Sequence, residues 1–119
     1  MFHEPLETLR QKTRDMHRAI VSLMEELEAI DWYAQRVDAA GDGDLKQILK
    51  HNGDEEKEHA AMLLEWIRRQ DPVFEAHLRT YLFSSGSIVQ EEQRAEAAGA
   101  NGGRNPGRPS VGSLREGAR

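Results

Sequence analysis

Residues 51–70 have the sequence HNGDEEKEHAAMLLEWIRRQ, and this stretch decides the fold. Apolar residues recur in it at intervals of three and four, which is the pattern of an amphipathic helix. The same spacing predicts a first helix over residues 6–37, where Pro5 suits the first turn. Valine, isoleucine and threonine are sparse and strand-like alternation is absent. We therefore expect an all-α protein.

Glycine, aspartate and proline mark the segments between the predicted helices. Residues 38–44, DAAGDGD, predict a turn in which Asp42 or Asp44 caps the second helix. That helix is expected to end near Gln70, where an Asp-Pro dipeptide stops it and begins a third, shorter helix over residues 72–83. Together these elements predict a two-helix antiparallel hairpin followed by a short C-terminal helix.

Each long helix has a stripe of residues at alternating three- and four-residue spacing that is expected to pack in the interior. On the first helix the stripe consists of Leu9, Lys12, Met16, Ala19, Leu23, Glu26, Ile30, Tyr33 and Val37. On the second helix it consists of Leu45, Leu49, Asn52, Glu56, His59, Leu63 and Trp66. Three ionisable side chains, Glu26, Glu56 and His59, therefore occupy positions that are predicted to be buried.

These three side chains are candidates for metal ligands. Burying a carboxylate without a partner costs several kcal/mol, and neither stripe contains an arginine. Glu56 and His59 form a Glu-x-x-His motif, whose side chains converge on one face of a helix. In an antiparallel hairpin Glu26 comes level with them, because it lies 11 residues before Val37 and Glu56 lies 12 residues after Asp44. A buried polar network and a solvated polar face remain the alternatives.

The three candidates make up half of a known kind of site. Di-iron carboxylate centres in four-helix bundles take one Glu from each of two helices and Glu-x-x-His from each of the other two. This chain has one of each and only two long helices. We expect a second copy to supply the other half in a C2 dimer, which would also cover the apolar stripe of the hairpin.

The composition excludes several classes of function. The 119 residues suffice for one domain. The absence of cysteine rules out disulfides, thiolate metal sites and cysteine nucleophiles. A net charge of −5 argues against a nucleic-acid partner, and no apolar run approaches the roughly 18 residues of a membrane span. The N-terminal residues lack a hydrophobic signal core, so we expect a cytoplasmic protein with no membrane partner.

The composition changes at Gly99. Residues 88–98 predict a marginal helix that closes a helical domain over residues 1–98, and GANGGRNPGRP over residues 99–109 predicts a flexible linker. Residues 110–119, SVGSLREGAR, regain the apolar side chains Val111 and Leu114, which are suited to small pockets on a partner. By composition alone, an ordinary disordered terminus is the other interpretation.

Three segments carry a family resemblance: MEELEAIDWY over residues 24–33, HNGDEEKEHAAMLLEWIRR over residues 51–69 and HLRTYLF over residues 77–83. Residues 4–84 resemble the encapsulated ferritins, which are cargo of encapsulin shells, and residues 110–119 resemble an encapsulin targeting peptide. The resemblance implies a hairpin that dimerises into a ferritin-like four-helix bundle, with dimers closing into a decameric ring. It also implies oxidation of Fe(II) by O2 at an iron pair between chains, and storage of the iron mineral inside the encapsulin nanocompartment.

The resemblance assigns roles to particular positions. Glu26, Glu56 and His59 match the ferroxidase ligands, and Tyr33 matches a tyrosine close to the site, although an ordinary core aromatic is an equal alternative. Two further groups match secondary metal sites of the family, and their alternative is a solvated acidic face. These groups are Glu25 with Glu28, and His51 with Glu55 and Glu58.

Two other functions remain open at this stage. The first is a non-catalytic helical adaptor whose polar stripe fixes the register of the helices. The second is a peroxide-reducing, rubrerythrin-like di-iron protein. Such proteins usually carry two Glu-x-x-His motifs in one chain, whereas this chain has one.

Overall fold

The computed structural model describes residues 1–101. It contains a 3-10 turn at Leu6–Thr8 and four helices: α1 (Gln11–Ala39), α2 (Gly43–Gln70), α3 (Pro72–Tyr81) and α4 (Ile88–Asn101). No strand occurs within these residues, and α1 packs against α2. The predicted all-α fold, a long hairpin followed by a shorter helix, is confirmed.

The first helix begins later than predicted. It starts at Gln11 instead of residue 6, because the chain first forms a 3-10 turn at Leu6–Thr8 and is then extended at Leu9. The Thr8 hydroxyl donates a hydrogen bond of 2.7 Å to the carbonyl oxygen of Pro5. Such short-range bonds from a threonine side chain compete with helix formation, and here the side chain stabilises a separate turn.

The helix starts agree more closely with the sequence. Asp42, one of the two predicted caps, accepts a 2.9 Å hydrogen bond from the Leu45 amide and caps α2. Asp71 does the same for α3, because its carboxylate accepts bonds of 2.9 and 3.0 Å from the amides of Val73 and Phe74. The capped turns fix where α2 and α3 begin.

The packed face of α2 lies one residue further along the chain than predicted. The most buried residues of α2 are Gly53, Ala60 and Ile67, at intervals of seven. The predicted stripe instead ran through Asn52, His59 and Trp66, of which His59 and Trp66 are exposed. The spacing identifies a face but does not single out its centre. The two small residues lie at the centre because they allow the closest approach of the helices.

The register of the hairpin follows from one close contact between α1 and α2. A methyl group built at Gly53 would lie 3.2 Å from the Cβ of Tyr33, so these two positions face each other. Two turns of a helix contain about seven residues, so positions seven apart lie on the same face. In an antiparallel pair, moving seven residues back along α1 and seven residues forward along α2 therefore reaches the next facing pair. Such steps pair Tyr33 with Gly53, Glu26 with Ala60, and Ala19 with Ile67.

The chain divides into a unit comprising Met1–Glu75 and a second unit that begins at Ala76. In the second unit α3 ends at Tyr81 instead of Phe83, whose φ of 61° lies in the left-handed region that helices do not use. Helix α4 extends to Asn101, three residues past the expected end of the helical domain. The rest of the predicted linker and the predicted targeting peptide lie outside the described residues.

Among the described residues, no helix has both the length and the apolar character that crossing a membrane requires.

Candidate metal centre

Three metal-ligating side chains converge in the middle of the hairpin. Glu26 comes from α1, and Glu56 and His59 come from successive turns of α2. The Nδ1 atom of His59 lies 3.4 Å from an Oε atom of Glu56 and 3.7 Å from an Oε atom of Glu26. One potential ligand atom of each residue lies within 4.8 Å of the others. The register that pairs Glu26 with Ala60 brings the Glu26 carboxylate level with the pair on α2.

The cluster is partly shielded from solvent on the two carboxylates and open on the histidine. The side chains of Glu26 and Glu56 are 23% and 24% exposed, whereas that of His59 is 47% exposed. Within residues 1–101, no lysine or arginine forms an ion pair with either carboxylate. The cluster therefore concentrates negative charge that the described part of the chain does not neutralise.

The two carboxyl groups are electrostatically coupled. A hydrogen bond with Glu56, partial burial and the charge of Glu56 raise the pKa of Glu26 above its ordinary value. The same hydrogen bond, together with His59, lowers the pKa of Glu56. Folding thus favours the protonated form of Glu26, because two close carboxylates repel each other. A cation bound at this point would favour the ionised form instead.

The donor set suits iron. Carboxylate oxygens are hard ligands and imidazole is a ligand for Fe and Zn among others, so a mixed set of this kind can bind both Fe(II) and Fe(III). The cluster offers two carboxylates and one imidazole and is open on the His59 side. It therefore leaves coordination positions for further ligands.

Comparison with known proteins assigns the chain to a family. The model of the EncFtn-like family matches residues 1–85. The chain belongs to the EncFtn-like family. This match confirms the predicted resemblance to encapsulated ferritins.

Named relatives agree with this assignment. The "Encapsulated ferritin-like protein" of Rhodospirillum rubrum is 60% identical over 101 residues, which cover 85% of this chain and 72% of that protein. The "Ferritin-like protein" of Thermotoga maritima is 49% identical over 102 residues, covering 86% of this chain and 90% of that protein. The "Encapsulin nanocompartment cargo protein EncC" of Myxococcus xanthus is 39% identical over 87 residues, covering 69% of this chain and 65% of that protein.

A solved structure has the same fold. Protein ne0167 from Nitrosomonas europaea is 62% identical, with a TM-score of 0.72. The alignment covers 74% of this chain and 97% of that one.

Tyr33 lies two turns from Glu26 on α1 of this EncFtn-like chain and does not join the cluster. Its ring is half-buried, and the guanidinium of Arg36 lies 5.3 Å from the ring centroid and 5.9 Å from that of Trp32. In the described part of the chain, the Tyr33 hydroxyl forms no hydrogen bond with Glu26, Glu56 or His59. Its predicted role beside the site stays a prediction.

The predicted secondary groups lie on the exposed surface of the EncFtn-like hairpin. Glu25 and Glu28 on α1 are exposed, as is Glu58 on α2. The Nε2 atom of His51 lies 3.5 Å from an Oε atom of Glu55, and both side chains are exposed. Within residues 1–101 these groups do not bring three ligand atoms together as Glu26, Glu56 and His59 do. Their role in metal binding stays a prediction.

Sequence reasoning missed the close approach of the helices at Gly53. The available signal was a glycine in the interior of a predicted helix, which often has a packing reason.

Proposed function

We propose that this chain is a ferroxidase that oxidises Fe(II) to Fe(III) with O2 at a di-iron site shared between two chains. The observation that carries the proposal is the convergence of Glu26, Glu56 and His59 without a cationic side chain to neutralise them. Membership of the EncFtn-like family supports iron as the substrate.

The incompleteness of the cluster supports a site made by two chains. Three ligand groups do not hold two iron ions, but two copies related by a two-fold axis provide four carboxylates and two imidazoles. In this arrangement Glu26 of each chain would be shared by the two ions. Glu56 and His59 of each chain would hold one ion each.

Exposed apolar side chains around the cluster support the same dimer. In the described residues only Ala19, Ala60 and Ile67 are buried apolar residues, and of these only Ile67 is fully buried, which is a small core for a hairpin of this length. Large apolar side chains on both helices are left open to solvent. They are Ile20, Met24 and Leu27 on α1, and Leu45, Ile48, Met62 and Trp66 on α2. Association with a second copy buries such a surface, and we propose that the dimers assemble further into a decameric ring.

In iron oxidation the carboxylates and His59 would have different roles. Two Fe(II) ions would give up one electron each, and O2 would take up both electrons with two protons to form hydrogen peroxide. The carboxylates stabilise Fe(III) relative to Fe(II), and His59 keeps the site able to bind Fe(II). Both carboxylates would act as ligands in their ionised form.

Stopped-flow absorbance after mixing with Fe(II) and O2 tests the ferroxidase proposal. We expect Glu26→Ala to slow the oxidation by more than about 100-fold, because it removes a ligand and not merely a group that supports one. Glu65→Ala is the matched control, since Glu65 lies on α2 outside the cluster and pairs with Arg68 and Arg69. An unchanged rate in Glu26→Ala contradicts the proposal. Rapid oxidation with peroxide but not with O2 would favour the rubrerythrin-like alternative.

We also propose that the protein is cargo inside an encapsulin nanocompartment in the cytoplasm, addressed by residues 110–119. The names of the Rhodospirillum rubrum and Myxococcus xanthus relatives support this partner, and Val111 and Leu114 supply the apolar side chains that a shell pocket would hold. Deletion of residues 110–119 is expected to leave iron oxidation intact and to abolish co-purification with a co-expressed shell protein. Retained loading would contradict the targeting role.

A further inference from the structure

The three facing pairs of the hairpin, spaced seven residues apart, each combine a large and a small side chain. Gly53 faces Tyr33 across the interface, and the register places Ala60 opposite Glu26. Gly53 and Ala60 are both buried, and they bracket Glu56 at three residues before it and four residues after it. The ligand-bearing turn of α2 therefore lies between two buried small residues, at the first of which α1 approaches closely.

The contact at Gly53 is too tight for even a methyl group unless the helices shift slightly. A Cβ atom there would lie 3.2 Å from the Cβ of Tyr33 and 3.9 Å from its Cγ. The Cβ of Tyr33 is fixed to the backbone of α1 and cannot rotate away, so the two helices would have to separate by a few tenths of an ångström. Glycine has a cost at this position, because it weakens a helix interior relative to alanine.

We infer that Gly53 is a positioning residue for the metal centre: by letting α1 and α2 meet closely at Tyr33, it sets the distance between Glu26 on α1 and the Glu56–His59 pair on α2. This inference rests on the proposed function, since it concerns the same site. Metal–ligand distances tolerate deviations of only about 0.2 Å. A separation of a few tenths of an ångström at Gly53 is therefore large enough to disturb the ligand distances at Glu56, one turn away.

Gly53→Ala tests the inference, because a purely structural role and a positioning role predict different changes in metal binding. If Gly53 merely occupies a helix position, alanine raises the melting temperature and leaves metal binding unchanged. If Gly53 positions the ligands, Co(II) affinity falls about tenfold and the visible absorption of bound Co(II), which reports coordination geometry, changes. The KM for Fe(II) is expected to rise in parallel. Gly43→Ala is the matched control, since a Cβ at this other glycine of α2 meets nothing within 4 Å.

Co(II) titrations of the full-length wild-type protein and both variants separate the outcomes. Weaker binding with an altered spectrum in Gly53→Ala, and wild-type behaviour in Gly43→Ala, supports the positioning role. Wild-type affinity and spectrum in Gly53→Ala overturn it, as does a metal-free Gly53→Ala that loses helical dichroism, because Gly53 would then serve folding alone. A wild-type protein that does not bind Co(II) at all would contradict the proposed function instead.

Discussion

Helix α2 carries two clusters of ionisable side chains that are built in opposite ways. In the first, Glu65 pairs at 2.6 Å with both Arg68 and Arg69, and Arg68 also pairs with Glu75 at 3.0 Å. We call this group the paired cluster. In the second, Glu56 lies nine residues before Glu65 on the same helix, next to another carboxylate and one histidine.

The pKa values show the consequence of this difference. The two guanidinium groups lower the pKa of Glu65 to about 2. In the second cluster the pKa of Glu26 is raised instead, and the largest cause is a hydrogen bond with a second carboxyl group. Partial burial adds to this rise but is the smaller cause. A cluster that its own chain neutralises can stabilise the fold, whereas one left with negative charge is suited to binding a cation, as we propose for Glu26, Glu56 and His59.

The two clusters are expected to differ most in how their variants change the thermal stabilisation by metal. Co(II) at a hundredfold excess over its dissociation constant stabilises a native site by about 2.7 kcal/mol, so we expect the melting temperature of the wild-type protein to rise by several degrees. Glu56→Gln removes a ligand and is expected to abolish most of this rise, whereas Glu65→Gln is expected to keep it. Thermal melts with and without Co(II) measure both. An equal loss in the two variants would remove the distinction between the clusters.

A smaller effect concerns the metal-free protein at pH 7. The raised pKa of Glu26 means that folding disfavours its ionised form, so we expect Glu26→Gln to raise the melting temperature slightly. The lowered pKa of Glu65 means the reverse, so Glu65→Gln is expected to lower it slightly. Melts in the presence of a chelator measure both shifts. Shifts of the same sign would contradict the idea that only one cluster is neutralised within the chain.

The smallest effect is the pH dependence of the paired cluster. The pKa of Glu65 falls from an ordinary value of 4.5 to about 2 on folding, so its contribution to stability is complete above pH 4.5 and disappears as the pH falls toward 2. The gap in melting temperature between the wild-type protein and Glu65→Gln is expected to narrow across this window. Melts at a series of pH values follow the gap. A gap that stays constant down to pH 2 would assign the effect to packing instead of charge.

Much of the fold and the membership of the candidate cluster could be predicted from spacing. Residues three or seven apart on a helix share a face, and antiparallel helices joined by a short turn bring equal distances from that turn level with each other. This is why the sequence alone groups Glu26, Glu56 and His59. The Asp42 cap and the Asp-Pro boundary before α3 were predictable because they depend on local hydrogen bonds.

What spacing did not predict depends on contacts between elements. The centre of the α2 face lies at Gly53 and Ala60 because small residues allow close approach, and a polarity pattern does not register size. The turn at Leu6–Thr8 depends on a side-chain bond from Thr8 that competes with the helix. The secondary groups are exposed, so the structure of one chain does not assign them a role. They are Glu25, Glu28, His51, Glu55 and Glu58.

The central claim is that one chain holds half of a metal site. Native mass spectrometry of the full-length protein with Co(II) tests it most directly, because it counts ions on each oligomer separately. We expect two ions on each pair of chains, none on the single chain, and none on a Glu56→Gln pair. A single chain that retains the metal, or a wild-type pair that holds none, would contradict the account.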